Sequence, residues 1–254
     1  MAYTQVGEGP PLVLIHGFPL NKGMWDSQVA HLRKRFRVLA PDLRGHGETE
    51  VPQDAFSMDL FANDVIALVG ELGLGPAVFV GHSMGGYVLF RLYAQQPDSA
   101  RALVFANTRA EADGPEARKK RLDTIGLIQK SGPEAFMTDF ARKLLSESTK
   151  ERRPELLAQL ISLMKYAPAH SIIASLRALA ERSDSRTLLS DIQVPTLLIA
   201  GKEDSIIPLQ SMEDMQKRLQ DSRLIVIPET GHMSNMESPQ VFNEEVDKFL
   251  MNVA

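Results

Sequence analysis

The sequence predicts an α/β fold: a mostly parallel, doubly wound sheet with helices on both faces and a helical insertion. Three observations predict it. Apolar runs of strand length, such as Leu12-Val13-Leu14-Ile15 and Ala77-Val78-Phe79-Val80, are continuous rather than alternating. Strands buried on both faces of a parallel sheet have that pattern. These runs alternate with helical segments in the rhythm of βαβ crossovers. Between residues 109 and 187 the rhythm lapses and only helical patterns remain.

Residues 2–6 read as a short strand before the turn Gly7-Glu8-Gly9-Pro10. The first long strand, 12–16, ends in His16-Gly17-Phe18-Pro19. A loop and helix span 21–35, with Trp25, Val29 and Leu32 at helical spacing. Strand 36–40 runs into Pro41-Asp42-Leu43-Arg44-Gly45-His46-Gly47-Glu48, rich in glycine and charge. Ser57 to Leu72 is an amphipathic helix with Leu60, Val65, Leu68 and Val69 on its apolar face. The strand at 77–80 follows, then a helix over 87–95 that Pro97 ends, then strand 102–106.

Inside the insertion, helices are predicted over 111–130, 133–147, 151–166 and 168–182, with Pro115, Pro133, Pro154 and Pro168 near their starts. The insertion has more Lys and Arg than Asp and Glu; the remainder has the reverse. Arg118-Lys119-Lys120-Arg121 is read as a solvated helix face. Alternation resumes with strand 195–200, helix 209–220, strand 223–227 and helix 239–251.

Composition narrows the function classes. A chain of 254 residues is long enough for one substantial core. A net charge of −4 gives no nucleic-acid signature, and no apolar run approaches bilayer-spanning length. The chain has no cysteine, so disulfides, thiolate metal sites and cysteine nucleophiles are excluded. Met1 to Gln5 lacks a basic region followed by an apolar stretch. A signal peptide is therefore not expected, and cytoplasm is the expected compartment.

The stretch that carries chemistry is Gly81-His82-Ser83-Met84-Gly85-Gly86. A strand that turns sharply into a helix brings its backbone back across itself, and glycine two residues either side of the apex leaves room for that crossing. Ser83 then stands at a helix N-terminus, in the G-x-S-x-G pattern of a nucleophile elbow.

A serine hydroxyl is a weak nucleophile without an adjacent base. His232, after the last predicted strand, is the candidate base. Asp204, after the strand before it, is the candidate acid that fixes the imidazole tautomer. Glu203 is its alternative. The candidate oxyanion hole consists of the backbone N–H groups of Met84 and Phe18; Pro19 has none to offer. Removing one such donor costs about 2.7–4 kcal/mol of transition-state stabilisation.

These motifs together resemble the α/β-hydrolase fold superfamily. The resemblance rests on His-Gly-Phe-Pro at 16–19, Asp-Leu-Arg-Gly-His-Gly at 42–47, Gly-His-Ser-Met-Gly-Gly at 81–86, Gly-Lys-Glu-Asp with Pro208 over 201–208, and Gly-His at 231–232. It covers nearly the whole chain outside 109–187. In particular the sequence is similar to cofactor-free bacterial esterases and their haloperoxidase/perhydrolase-like relatives. The resemblance implies a core of residues 1–108 and 188–254, a helical cap over 109–187, and an N-terminal antiparallel part shorter than usual. Some relatives place the acid just after the strand at 102–106; here Asn107 stands there, which favours Asp204.

Other residues have expected structural roles. His82 is expected to pack behind the sheet, His46 and Arg44 to anchor their loop, and His16 to shape the loop it starts. Asp42 is expected to hydrogen-bond its own loop, and His31 and His170 to lie at the surface. Trp25, Phe18 and Met84 are candidates to line a substrate pocket, with the core as the other reading for Trp25. No histidine pairs with carboxylates at metal-ligand spacing, so no metal and no cofactor are expected.

The leading functional expectation is hydrolysis of a small-molecule carboxylic ester through an acyl-enzyme. A lactonase, thioesterase, carbon–carbon hydrolase or perhydrolase would use the same residues. Serine at the elbow argues against the superfamily's dehalogenase and epoxide hydrolase chemistry, which uses aspartate. From other classes stand a lyase acting without acylation and a receptor-like ligand-binding protein.

Overall fold

The computed structural model describes residues 1–51 and 55–253. Seven strands form one sheet: β1 (Tyr3–Val6), β2 (Pro11–Ile15), β3 (Arg37–Pro41), β4 (Ala77–His82), β5 (Ala100–Ala106), β6 (Thr196–Gly201) and β7 (Ser222–Ile227). Their order is β1-β3-β2-β4-β5-β6-β7. Among the described residues only β1 runs antiparallel, pairing Tyr3 with Pro41 and Val6 with Val38. The expected short antiparallel part is thus a single strand.

The strand order reverses at β2. The crossover from β2 to β3 runs one way along the sheet, and every later parallel crossover runs the other. Right-handed connections therefore put α1 (Asp26–Leu32) on one face and α2 (Met58–Glu71), α3 (Met84–Gln95) and α9 (Leu209–Arg218) on the opposite face. The C-terminal α11 (Pro239–Val253) packs against α1, and α2 against α3.

Continuous apolar strands give a core buried on both sides. Every residue of β4 and β6 is buried, as the sequence pattern required. Phe90 of α3 stacks on Phe105 of β5 with ring centroids 4.6 Å apart. Truncating either ring to alanine is worth about 3–5 kcal/mol in such a core. Local signals set the helix ends. Ser57 caps α2 by accepting from the Leu60 N–H at 3.1 Å, and Gly73 with φ +60° follows its last turn.

Between β5 and β6 lie five α-helices: α4 (Pro115–Ser131), α5 (Glu134–Leu144), α6 (Glu147–Arg152), α7 (Glu155–Met164) and α8 (Ala169–Glu181). The sequence pattern predicts four. The difference lies at 145–146, where Leu145 is extended and Ser146 caps a new helix by accepting from the Thr149 N–H at 3.1 Å. A further short helix, α10 (Ser234–Glu237), precedes α11. Arg118, Lys119 and Lys120 are exposed, as expected of a solvated face. Arg121 departs from that reading: its guanidinium turns inward onto the buried Asp113 carboxylate.

The insertion reaches the carboxyl ends of the strands at three places. Phe136 and Phe140 of α5 pack on Phe18, with ring centroids 6.2 and 5.9 Å away. The Leu163 carbonyl of α7 accepts from Asn21 Nδ2 at 2.9 Å. The backbone of residues 144–146 carries the loop that follows β7.

Candidate active site

Four adjacent strands, β4 to β7, each deliver one residue to the same end of the sheet. They deliver Ser83, Asn107, Asp204 and His232 respectively. Ligand sites of open α/β sheets gather at such strand ends, near the point where strand order reverses.

Ser83 has φ +52° and ψ −111°, a strained conformation for a residue with a side chain. Its backbone N–H continues the ladder to the Ala106 carbonyl at 2.9 Å, and its own carbonyl accepts from Thr108 Oγ1 at 2.8 Å. The glycine spacing explains how the turn is tolerated. A Cβ on Gly81 would come within 2.5 Å of the Gly85 carbonyl oxygen. One on Gly85 would come within 2.3 Å of the Ile15 carbonyl oxygen. That second approach seats the start of α3 directly on the end of β2. The same Cβ would come within 3.0 Å of the His16 carbonyl oxygen, so the helix start that Met84 opens adjoins the residue that begins the loop after β2. The N–H groups of Met84 and Phe18 have no hydrogen-bond acceptor among the described residues. Buried backbone donors nearly always have a partner, and donors left open at such a turn can receive a developing oxyanion.

Asp204 and His232 meet directly. His232 Nδ1 donates to Asp204 Oδ2 at 2.8 Å, and both side chains are almost wholly buried. The same carboxylate accepts from Asn107 Nδ2 at 2.9 Å and, through Oδ1, from the N–H groups of Ile206 and Ile207 at 2.8 and 2.9 Å. Burial alone would push the Asp204 carboxyl up. The adjacent His232 ring and the hydrogen bonds outweigh burial and hold it below the ordinary carboxylate range. An ionised acceptor requires an imidazole proton on Nδ1, and in the neutral tautomer so fixed the lone pair is on Nε2. Glu203, the alternative acid, is exposed.

His82 does more than pack behind the sheet. Its Nε2 donates to the His232 carbonyl at 2.7 Å, and the two rings meet edge to face at 4.9 Å. Burial, reinforced by the neighbouring His232, lowers the His82 ring to about 3. It is therefore neutral. The residue preceding Ser83 is thus bound to the backbone of His232.

The remaining candidates have structural partners. His16 Nε2 accepts from the Leu43 N–H at 3.0 Å, which joins the loop after β2 to the loop after β3. Burial lowers the His16 ring as well. His46 is fully buried, bonds the Arg44 carbonyl at 3.0 Å and is lowered to about 3 by burial. Arg44 grips Asp64 of α2 with two hydrogen bonds of 2.6 Å. Asp42 accepts from the Glu48 N–H of its own loop at 2.9 Å and from the Lys22 N–H at 2.7 Å. Trp25 is fully buried against Phe242 and His82, the core alternative of its two readings. His31 is partly exposed and bonds Asp247; His170 is exposed.

Asn107 is the site residue that sequence reasoning leaves without a role. Its Nδ2 bonds Asp204 and the Gly231 carbonyl, its Oδ1 accepts from Ser234 Oγ at 2.5 Å, and its φ is +47°. Its position at a strand end next to a sheet neighbour carrying Asp204 is the signal that could have found it. Among the described residues no cluster of histidine and carboxylate side chains could hold a metal ion, and no helix is long and apolar enough to cross a membrane.

A sheet wound in this order, with polar residues converging on its carboxyl end, defines an α/β hydrolase architecture. The chain belongs to the alpha/beta hydrolase fold family, whose family model matches residues 10–239. It is similar to the solved structure of a thermophilic esterase from Thermogutta terrifontis, with a TM-score of 0.96 and 36% identity, covering 99% of this chain and 93% of that one. It is 30% identical to 3-oxoadipate enol-lactonase 2 of Acinetobacter baylyi, over 96% of this chain and 91% of the relative. It also resembles the crystal structure of a bromoperoxidase from Bacillus anthracis, with a TM-score of 0.89 and 25% identity, over 98% and 94% of the two chains. Esterases and lactonases are thus among its relatives within a hydrolase family.

Proposed function

We propose that the protein is a serine hydrolase of small carboxylic esters, acting through an acyl-enzyme formed on Ser83. The observation that carries this reading is the Asp204–His232 pair, 2.8 Å apart. The carboxylate is saturated by donors and the imidazole Nε2 is free, at the same end of the sheet as Ser83, with β5 between its strand and theirs.

In this reading His232 Nε2 takes the Ser83 hydroxyl proton as Oγ attacks the ester carbonyl. The carbonyl oxygen becomes an oxyanion, held by the N–H groups of Phe18 and Met84. The tetrahedral adduct collapses, the ester C–O bond breaks, and His232 gives its proton to the departing alcohol. Water, deprotonated by His232, then adds to the acyl-enzyme, and the acid leaves as Oγ regains its proton. Asp204 remains ionised and stabilises the imidazolium. The insertion, residues 109–187, acts as a cap over this centre, and Phe18 with Phe136 and Phe140 supplies an apolar wall.

A lactone is a cyclic ester and would follow the same steps. The enol-lactonase among the relatives supports that as the second reading. Intact-mass and peptide mass spectrometry after treatment with a p-nitrophenyl phosphonate tests the proposal. One adduct is expected, on the peptide carrying Ser83, and none in Ser83→Ala. An unmodified protein, or an adduct on another residue, contradicts it.

A further inference from the structure

We propose that Glu237 is a positioning residue for His232: its buried carboxylate holds the backbone on both sides of the base and couples it to the insertion. The proposal rests on the reading of His232 as the base.

Glu237 ends the short helix α10, only five residues after His232. Its side chain folds back over the helix start. Oε1 accepts from the N–H of Gly231 at 3.0 Å and from the N–H of Met233 at 3.1 Å. These two residues flank His232. Oε2 accepts from the N–H of Ser146, the cap of α6, at 2.9 Å. One carboxylate, 8% exposed, thus satisfies three backbone donors from two separate segments.

The arrangement is closed around His232 itself. The His232 N–H donates to the Leu144 carbonyl at 2.9 Å, and its carbonyl accepts from His82 at 2.7 Å. Ser146 Oγ further donates to the Glu229 carbonyl at 3.1 Å. Gly231 is confined in the same contact: a Cβ there would come within 2.6 Å of the Ser146 nitrogen and 3.1 Å of Glu237 Oε1. Arg153 of the insertion closes the far side, donating to the carbonyls of Met236 and Glu237 at 3.0 and 3.2 Å.

Among the described residues no other side chain accepts from both neighbours of His232. Charge-assisted hydrogen bonds from backbone N–H to carboxylate are about twice as strong as neutral ones. A loop fixed this way holds the imidazole within the small tolerance that proton transfer needs, where an error of about 1 Å can cost 100-fold in rate. Because Oε2 grips Ser146, the same carboxylate makes the base's position depend on where residues 144–146 of the insertion sit.

The test compares wild type, Glu237→Gln and Glu237→Ala in the full chain. One readout is kcat and KM on p-nitrophenyl butyrate. The other is the low-field proton resonance of His232 Nδ1–H, assigned with 15N-histidine labelling. A glutamine oxygen can keep the two Oε1 contacts but loses Ser146; alanine loses all three. The expected result is a kcat loss of about 10-fold for Gln and about 100-fold for Ala with KM within about two-fold. The resonance is expected to shift in Gln and to broaden or vanish in Ala. A merely structural role would lower the melting temperature but leave the resonance and kcat per folded molecule unchanged, and that result overturns the proposal. If Glu237→Ala does not fold, Glu237→Gln decides alone: an unmoved resonance with wild-type kcat overturns it. If wild type itself has no esterase activity, the reading of His232 as base fails separately. The resonance of the two variants still decides whether Glu237 positions the ring.

Discussion

His82 Nε2 donates to the carbonyl oxygen of His232 at 2.7 Å, so the residue before the proposed nucleophile holds the backbone of the proposed base. Replacing it with phenylalanine keeps a ring in the core but leaves a buried carbonyl without its donor. Such an orphan costs about 1–3 kcal/mol. His82→Phe is predicted to lose that much stability in urea unfolding and to lower kcat while leaving KM near wild type. Unchanged kcat would mean that the bond serves the fold alone.

Acid stability follows from the buried histidines. His46 and His82 are each lowered to about 3, in both cases first by burial. A ring kept neutral in the fold but free to protonate when unfolded contributes stability above its unfolded value and loses it as pH falls toward the folded value. With an unfolded value near 6.5, each ring accounts for a loss of about 2 kcal/mol between pH 8 and pH 5. Urea midpoints at pH 8, 6.5 and 5 check this. A flat profile over that window contradicts it, because the depressed carboxylates Asp113 and Asp204 titrate below it.

Asp113 gathers three arginines where the insertion meets the core. Arg109 and Arg182 reach Oδ1 at 2.6 and 2.7 Å, and Arg121 bonds Oδ2. Burial would push this carboxyl up, but Arg121 and Arg182 outweigh it and lower it to about 2. Its contribution is present above the ordinary carboxylate range and lost as pH falls through about 2. Asp113→Asn removes the charge and leaves Arg182, itself buried, uncompensated. The predicted loss is about 3–5 kcal/mol, read as a shift in denaturant midpoint.

Asn107 keeps a neutral donor against Asp204. Asn107→Asp would put a second carboxylate at hydrogen-bond distance from the first. One of two such groups is driven toward protonation, and the pair competes for His232 Nδ1. The variant is predicted to lose at least about ten-fold in kcat/KM on p-nitrophenyl butyrate at pH 7. Wild-type activity there would show that Asn107 does not tune the acid.

Much of this was legible in the chain. The strands announce themselves because burial on both faces leaves no polar alternation, and Ser83, Asp204 and His232 stand at predicted strand ends. What was not legible depends on contacts between distant segments. Nothing local marks Glu237 as the acceptor for Ser146, or His82 as the donor to His232. The break between α5 and α6 was hidden for a different reason. Ser146 sits within a stretch of adequate helix formers, and only its cap geometry and the extended Leu145 end the first helix.

The central claim is that Ser83 carries the acyl group. Its most direct test is hydrolysis of p-nitrophenyl acetate and butyrate by wild type and by Ser83→Ala, side by side at pH 7.5. The account predicts turnover by wild type and a fall of about three or more orders of magnitude in kcat for the variant. A wild type without activity, or a variant that keeps its rate, would contradict it.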